Sequence, residues 1–217
     1  MKCYICNRIQ TSDEHVPAKC FFPTNKRLNL IKVPSCVIHN SKTSKDDEYI
    51  RNVITLNRAA NNTAVEHFRN KGKRSLERRP ALLARIAQNP KFLNLIENDE
   101  TTKNLTFEVE RERFDKVMKK IAYGLYFHKY KKTWEKELVV SADWLITDSY
   151  KTDFLAPEIK KFSILKPNSI LEGDNPEVFQ YTFTDFPSQT EKFAFFRFYE
   201  VLDIYVFPMP GSKFAAL

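Results

Sequence analysis

What the chain has least of narrows its class first. No apolar run approaches the roughly 20 residues that a membrane-spanning helix needs, because charge interrupts each one within a few residues. The opening Met1-Lys2-Cys3-Tyr4-Ile5-Cys6 has no apolar stretch behind its lysine, so no secretory signal is expected and the cytoplasm is the expected compartment. No internal repeat or low-complexity linker interrupts the 217 residues, and a hydrophobic share of 42% argues against large-scale disorder. Cysteine is scarce, at four residues, all within the first 36 positions. In a reducing compartment such thiols read as metal ligands or buried side chains rather than disulfides.

What is present in excess is positive charge. A formal net charge of +8 favours a polyanionic partner, nucleic acid first. The densest basic run holds Arg69, Lys71, Lys73, Arg74, Arg78 and Arg79, and within it Lys73, Arg74 and Arg78 are candidate nucleic-acid contacts. A solvated helix face explains the same run without a ligand.

Residues 1–43 show little helical periodicity. Ser44-Lys-Asp-Asp47 reads as a capping box, and Tyr49, Ile50, Val53, Ile54 and Leu56 supply the apolar face of a helix. Residues 60–96 read as further helices, broken near Gly72, Pro80 and Pro90. Residues 103–109 alternate as a strand, with Leu105, Phe107 and Val109 on one face. A long amphipathic helix is expected from Arg111 to Lys131, with Lys116, Lys119 and Lys120 facing away from its apolar stripe. Gly124 within it predicts close packing of another element. Strands are expected over Val139–Ile146, Lys161–Leu165, Val178–Phe186, Lys192–Tyr199 and Leu202–Phe207. The aromatic residues of these strands are read as core, and His67 and His128 as packing or surface histidines. A boundary near residue 58 divides the expected domains, 1–58 and 59–217.

Cys3-x-x-Cys6 has the spacing of a zinc knuckle, two thiolates at the ends of a tight turn. Cys36-x-x-His39 supplies the second pair. Four protein ligands leave no open position, so a Zn²⁺ held here is expected to be structural, and catalysis would need another ion. Cys20, which follows Pro17-Ala18-Lys19 and precedes Phe21-Phe22, reads as an inert buried thiol.

Between the ligand pairs lies Asp13-Glu14-His15-Val16-Pro17, and Asn40 follows the last ligand directly. The order Cys-x-x-Cys, Glu-His-Val-Pro, Cys-x-x-His-Asn resembles the zinc-stapled branch of the HNH (ββα-metal) endonucleases, which includes phage resolvases of the endonuclease VII type. The likeness covers residues 1 to about 52, with a weaker echo in Lys120–His128. It implies that Glu14 binds a catalytic Mg²⁺ or Mn²⁺, that His15 activates water, and that Asn40 completes the metal site. Asn29 takes the place of the middle asparagine of the family name. His39 stands where cysteine is more usual and Glu14 where aspartate is commoner, which keeps Asp13 as a rival metal ligand. Hard oxygen ligands suit those ions, and a histidine with a pKa of about 6.5 suits a base near neutral pH.

The fold expected from this reading is α+β: a small zinc-bound ββα-metal module followed by a mixed domain of helices and an antiparallel sheet. The expected function is endonucleolytic hydrolysis of DNA, with RNA left open as a substrate and a place in restriction or phage defence implied by resemblance alone. A regulatory protein partner docked on the C-terminal domain, and a zinc-stapled nucleic-acid binder without catalysis, are the other readings.

Overall fold

The computed structural model describes residues 1–97, 100–142, 144–145, 170–185 and 192–209. The N-terminal segment folds around a short antiparallel pair, β1 (Ser12–His15) and β2 (Lys32–Ser35), with Glu14 opposite Val33 and His15 opposite Lys32. The Cys3 turn closes through a bond from the Cys3 amide to the Arg8 carbonyl, and Tyr4 N–H donates to Pro34. These bonds seat the turn on β2. The chain then reverses at Cys36–Asn40 and enters α1 (Ser44–Thr55).

The expected capping box at Ser44 is absent. Thr43 is the cap position and makes no side-chain cap bond, while Ser44 Oγ donates to Ser41. Asp47, which would have closed the box, is drawn inward by a lysine instead. The next helical stretch runs α2 (Asn62–His67), a wide π turn (Phe68–Gly72) and α3 (Lys73–Arg78), capped at its start by Asn61 accepting from the Ala64 amide. Gly72 is required there, because a Cβ would fall 2.3 Å from the Phe68 ring. Pro80 opens α4 (Pro80–Ile86) at a position that needs no amide donor.

Past Pro90 the sequence-based reading of helix fails. Residues 91–97 form β3 (Lys91–Glu97), paired in register with β4 (Glu100–Thr106) as a hairpin. The expected strand over 103–109 ends at Thr106, so Phe107 and Val109 lie in the connection to the next helix. That helix, α5 (Arg111–Tyr130), matches its periodicity, burying Phe114, Val117, Met118, Ile121 and Leu125. Gly124 does admit a close neighbour: a Cβ there would sit 2.6 Å from a Val16 methyl, which puts α5 against the end of β1.

A five-stranded antiparallel sheet follows, in the order β5 (Leu138–Ala142), β9 (Leu202–Pro208), β8 (Lys192–Phe198), β7 (Phe179–Asp185), β6 (Glu172–Asn175). Period-two alternation divides its aromatics. Phe179, Tyr181, Phe196, Phe198 and Ile204 join the main core, whereas Phe193, Phe195, Tyr205 and Phe207 form a second cluster on the opposite face. The short polar strand β6 was not foreseen, and the expected strand Lys161–Leu165 lies outside the described residues, as do Ile146 and Phe186.

The main core cluster draws on residues from Cys3 to Val206, on both sides of residue 58. Tyr199 donates to the Phe21 carbonyl at 2.9 Å, and Asn175 bonds both the amide and the carbonyl of Leu28. No described helix is long and apolar enough to cross a membrane.

Candidate functional site

The two ligand pairs converge. Cys3, Cys6, Cys36 and His39 place their ligand atoms within 4.8 Å of one another, three of the four side chains being buried. The separations are diagnostic. With Zn–S of about 2.3 Å and Zn–N of about 2.0–2.1 Å, a tetrahedral ion sets S···S near about 3.8 Å and S···N near about 3.5 Å. Cys6 and Cys36 sulfurs are 3.9 Å apart, and His39 Nδ1 lies 3.4, 3.6 and 3.4 Å from Cys3, Cys6 and Cys36. The sulfurs are far too distant for a disulfide, whose S–S is about 2.05 Å. The four residues fit a closed tetrahedral ion such as zinc. His39 Nε2 is buried with no hydrogen-bond partner.

Glu14 does not stand where the family likeness put it. Adjacent residues of a strand point to opposite faces, and Glu14 is the one that turns inward, 3% exposed. Its carboxylate accepts from Tyr4 Oη at 3.0 Å and Ser35 Oγ at 3.1 Å, and pairs with Lys120 Nζ at 2.9 Å. Lys120 in turn reaches both Asp47 oxygens at 2.8 Å and Thr43 Oγ1 at 2.9 Å. The ammonium thus occupies the place among oxygens that a divalent cation would take. Burial pushes its pKa down, but Asp47 and Glu14 together outweigh burial and leave it raised. Burial raises the Asp47 pKa, against the pull of Lys120. Glu14 is therefore a structural carboxylate, which corrects its expected role as a magnesium ligand. Lys120, expected on the solvent face of α5, is buried for the same reason.

His15 turns the other way, half-exposed, on the face it shares with Asp13. Burial first, then Lys32, Lys19 and Arg27, lower its pKa, while Asp13 opposes them. The imidazole is neutral at neutral pH, set among three cations, and has no hydrogen-bond partner among the described residues. Asp13 is exposed, with one oxygen accepting from Gln10 Nε2 at 2.7 Å. Asn40 reaches across from the end of the metal-ligand turn: its Nδ2 donates to Ser12 Oγ at 2.9 Å and to the Asp13 carbonyl at 3.3 Å. That leaves its amide oxygen without a partner among the described residues. Asn29 is brought to none of these groups. It is exposed, with φ 43°, a left-handed conformation that asparagine tolerates better than most residues, so the turn accounts for it.

No family model, curated protein or solved structure matches this chain. The geometry by itself gives an α+β fold and a four-ligand group that can hold a metal ion such as zinc.

The basic run divides. Arg74 and Arg78 line a cleft of about 890 Å³, whereas Lys73 does not and pairs with Glu77 at 3.9 Å. Arg27 and Arg51, which sequence reasoning missed, line the same cleft. The available signal was Asp47, Arg51 and Thr55, a polar stripe at four-residue spacing beside the apolar face of α1. His67 is buried, with Nδ1 2.7 Å from Tyr199 Oη, and burial takes its pKa down to about 3. It packs rather than ligates, as expected. His128 is half-buried. Burial pushes the Cys20 thiol up to about 12, consistent with an inert thiol.

Proposed function

We propose that this chain is a metal-dependent endonuclease of the HNH (ββα-metal) kind, hydrolysing DNA phosphodiester bonds with His15 as general base. The observation that carries the reading is the setting of His15: a neutral, solvent-facing imidazole among Lys19, Arg27 and Lys32, on a strand braced by the four-ligand group. A neutral ring can accept a proton, and the surrounding cations favour a phosphate beside it.

Oxygen donors of the kind a hard cation takes are at hand in the Asp13 carboxylate, on the face of His15, and in the amide oxygen of Asn40, whose Nδ2 bonds Ser12 and the Asp13 carbonyl. Those two residues would hold Mg²⁺ or Mn²⁺, which supplies charge neutralisation at the scissile phosphate when bound. His15 takes a proton from water, the oxygen attacks phosphorus, and the P–O3′ bond breaks. The departing 3′ oxygen takes a proton from solvent. Lys19, Arg27 and Lys32 offset the charge that builds on the phosphate. Resemblance implies 5′-phosphate and 3′-hydroxyl ends.

Purified protein incubated with plasmid DNA and Mg²⁺ or Mn²⁺ is expected to nick or linearise it, leaving ligatable 5′-phosphate ends, and to be silent in a chelator. No cleavage of DNA or RNA under any divalent metal favours the second reading, a zinc-stapled nucleic-acid binder. One observation supports that alternative: the carboxylate beside His15 in sequence is consumed by Lys120 rather than held for a metal.

A further inference from the structure

The π turn and α3, together with the loop after β1, enclose the cleft of about 890 Å³. Seven cationic side chains line it against two carboxylates. Its floor holds Arg51, only 1% exposed. Buried guanidinium groups are normally matched by a carboxylate or a set of carbonyls. Arg51 has neither. Its Nε and Nη1 have no hydrogen-bond partner, and its nearest acid, Glu48, stays 3.8 Å from Nη2. Glu48 is committed elsewhere, accepting from Ser75 Oγ at 2.6 Å and from Arg79. Burial lowers the Arg51 pKa, the mark of a charge taken out of water.

Around this floor stand Arg27, Lys71, Arg74, Arg78 and Arg79. Among the described residues that line the cleft, His67 is the one aromatic ring, so no stacking platform of the single-strand kind is built there. The chemistry it offers is reserved for phosphate. Arg27 lines the cleft from the loop after β1, its Nε and Nη2 held on the Phe22 carbonyl at 3.2 and 3.1 Å.

We infer that the cleft between the β1 loop and α3 binds the phosphodiester backbone of a DNA strand, with Arg51 as its buried anion anchor and Lys71, Arg74 and Arg78 as its rim. This extends the nuclease reading to the path of the substrate, and its test does not depend on hydrolysis.

The test uses full-length protein carrying His15→Ala, so that binding is measured without cleavage. Affinity for a labelled DNA duplex is followed as a function of salt, alongside the melting temperature. Removing three rim charges with Lys71→Gln, Arg74→Gln and Arg78→Gln is expected to weaken binding at least about tenfold at moderate salt and flatten the log–log slope by about two to three, since each lost phosphate contact removes about 0.9. The same number of charges removed at Lys116, Lys129 and Lys192 leaves the slope unchanged. Arg51→Met is expected to weaken binding while holding or raising the melting temperature, because an unmatched buried charge is replaced by an apolar chain. A structural arginine would behave oppositely, losing stability and leaving the affinity of the folded fraction intact. Unchanged affinity and slope in the rim variant overturn the inference. So does a mononucleotide that binds as tightly as the duplex, which would make the cleft a small-ligand site. DNA binding through this cleft by a protein that never cleaves would uphold it and fail the nuclease proposal alone.

Discussion

Two buried cations, Lys120 and Arg51, differ in what surrounds them. Lys120 is met by Glu14, Asp47 and Thr43 at 2.8–2.9 Å, and so is part of the structure. Arg51 lacks such partners and is read as part of a binding surface. The contrast gives a direct prediction. Lys120→Met leaves two carboxylates buried without a cation, and removal of one partner from a buried pair costs about 3–5 kcal/mol. Urea unfolding is expected to show a loss of that order. Adding Glu14→Gln and Asp47→Asn to the same variant should recover part of it. A loss below about 1 kcal/mol, the value of an exposed ion pair, would mean that the cluster is solvated and that Glu14 is free to ligate.

Among the elements, β2 pairs with β1 at His15, and α5 packs a glycine against Val16, the residue after it. In an open helix Gly124→Ala would stabilise by about 1 kcal/mol. Here the new methyl would meet Val16 at 2.6 Å, one residue from His15, and overpacking costs about 1–3 kcal/mol. The sign should reverse: Gly124→Ala is expected to lower the melting temperature and to shift the His15 ring resonances, and a rise in stability would contradict the packing described. The glycine was legible in the sequence because it interrupts a long periodic helix without ending it. Other elements were not legible. Residues 91–97 became a strand by pairing with Glu100–Thr106, a partner that the helical reading of 60–96 did not include. The Ser44–Asp47 box failed because Asp47 had a stronger claimant on α5. The second is a distant contact overriding a local preference.

Across the whole molecule, the four residues that could hold a metal were readable because a site for an ion such as zinc demands a fixed residue chemistry at fixed spacing. The neighbours of His15 were less so. A motif records that Glu14 and His15 are adjacent, whereas the strand sends adjacent side chains to opposite faces, so the inward carboxylate is lost to Lys120 and Asp13 takes the outward place. Arg51 was hidden because it lies beside the apolar face of α1 and reads as an ordinary helical cation. The ligand group also ties the first turn, β2 and the approach to α1 into the shared core. Stripping a bound zinc with a chelator is therefore expected to lower the melting temperature of the whole chain in one transition, and readdition should restore it. Co²⁺ in its place should show the visible bands of a tetrahedral thiolate site. A melt indifferent to chelation, in protein shown to contain zinc beforehand, would argue against the staple.

The most direct measurement is single-turnover cleavage of a prebound DNA duplex in Mg²⁺ or Mn²⁺ by wild-type protein and by His15→Ala. The account predicts that both bind the duplex alike and that the variant cleaves at least about a hundredfold more slowly, the usual scale for loss of a general base. Equal cleavage rates, with the variant folded and zinc-loaded, would contradict it.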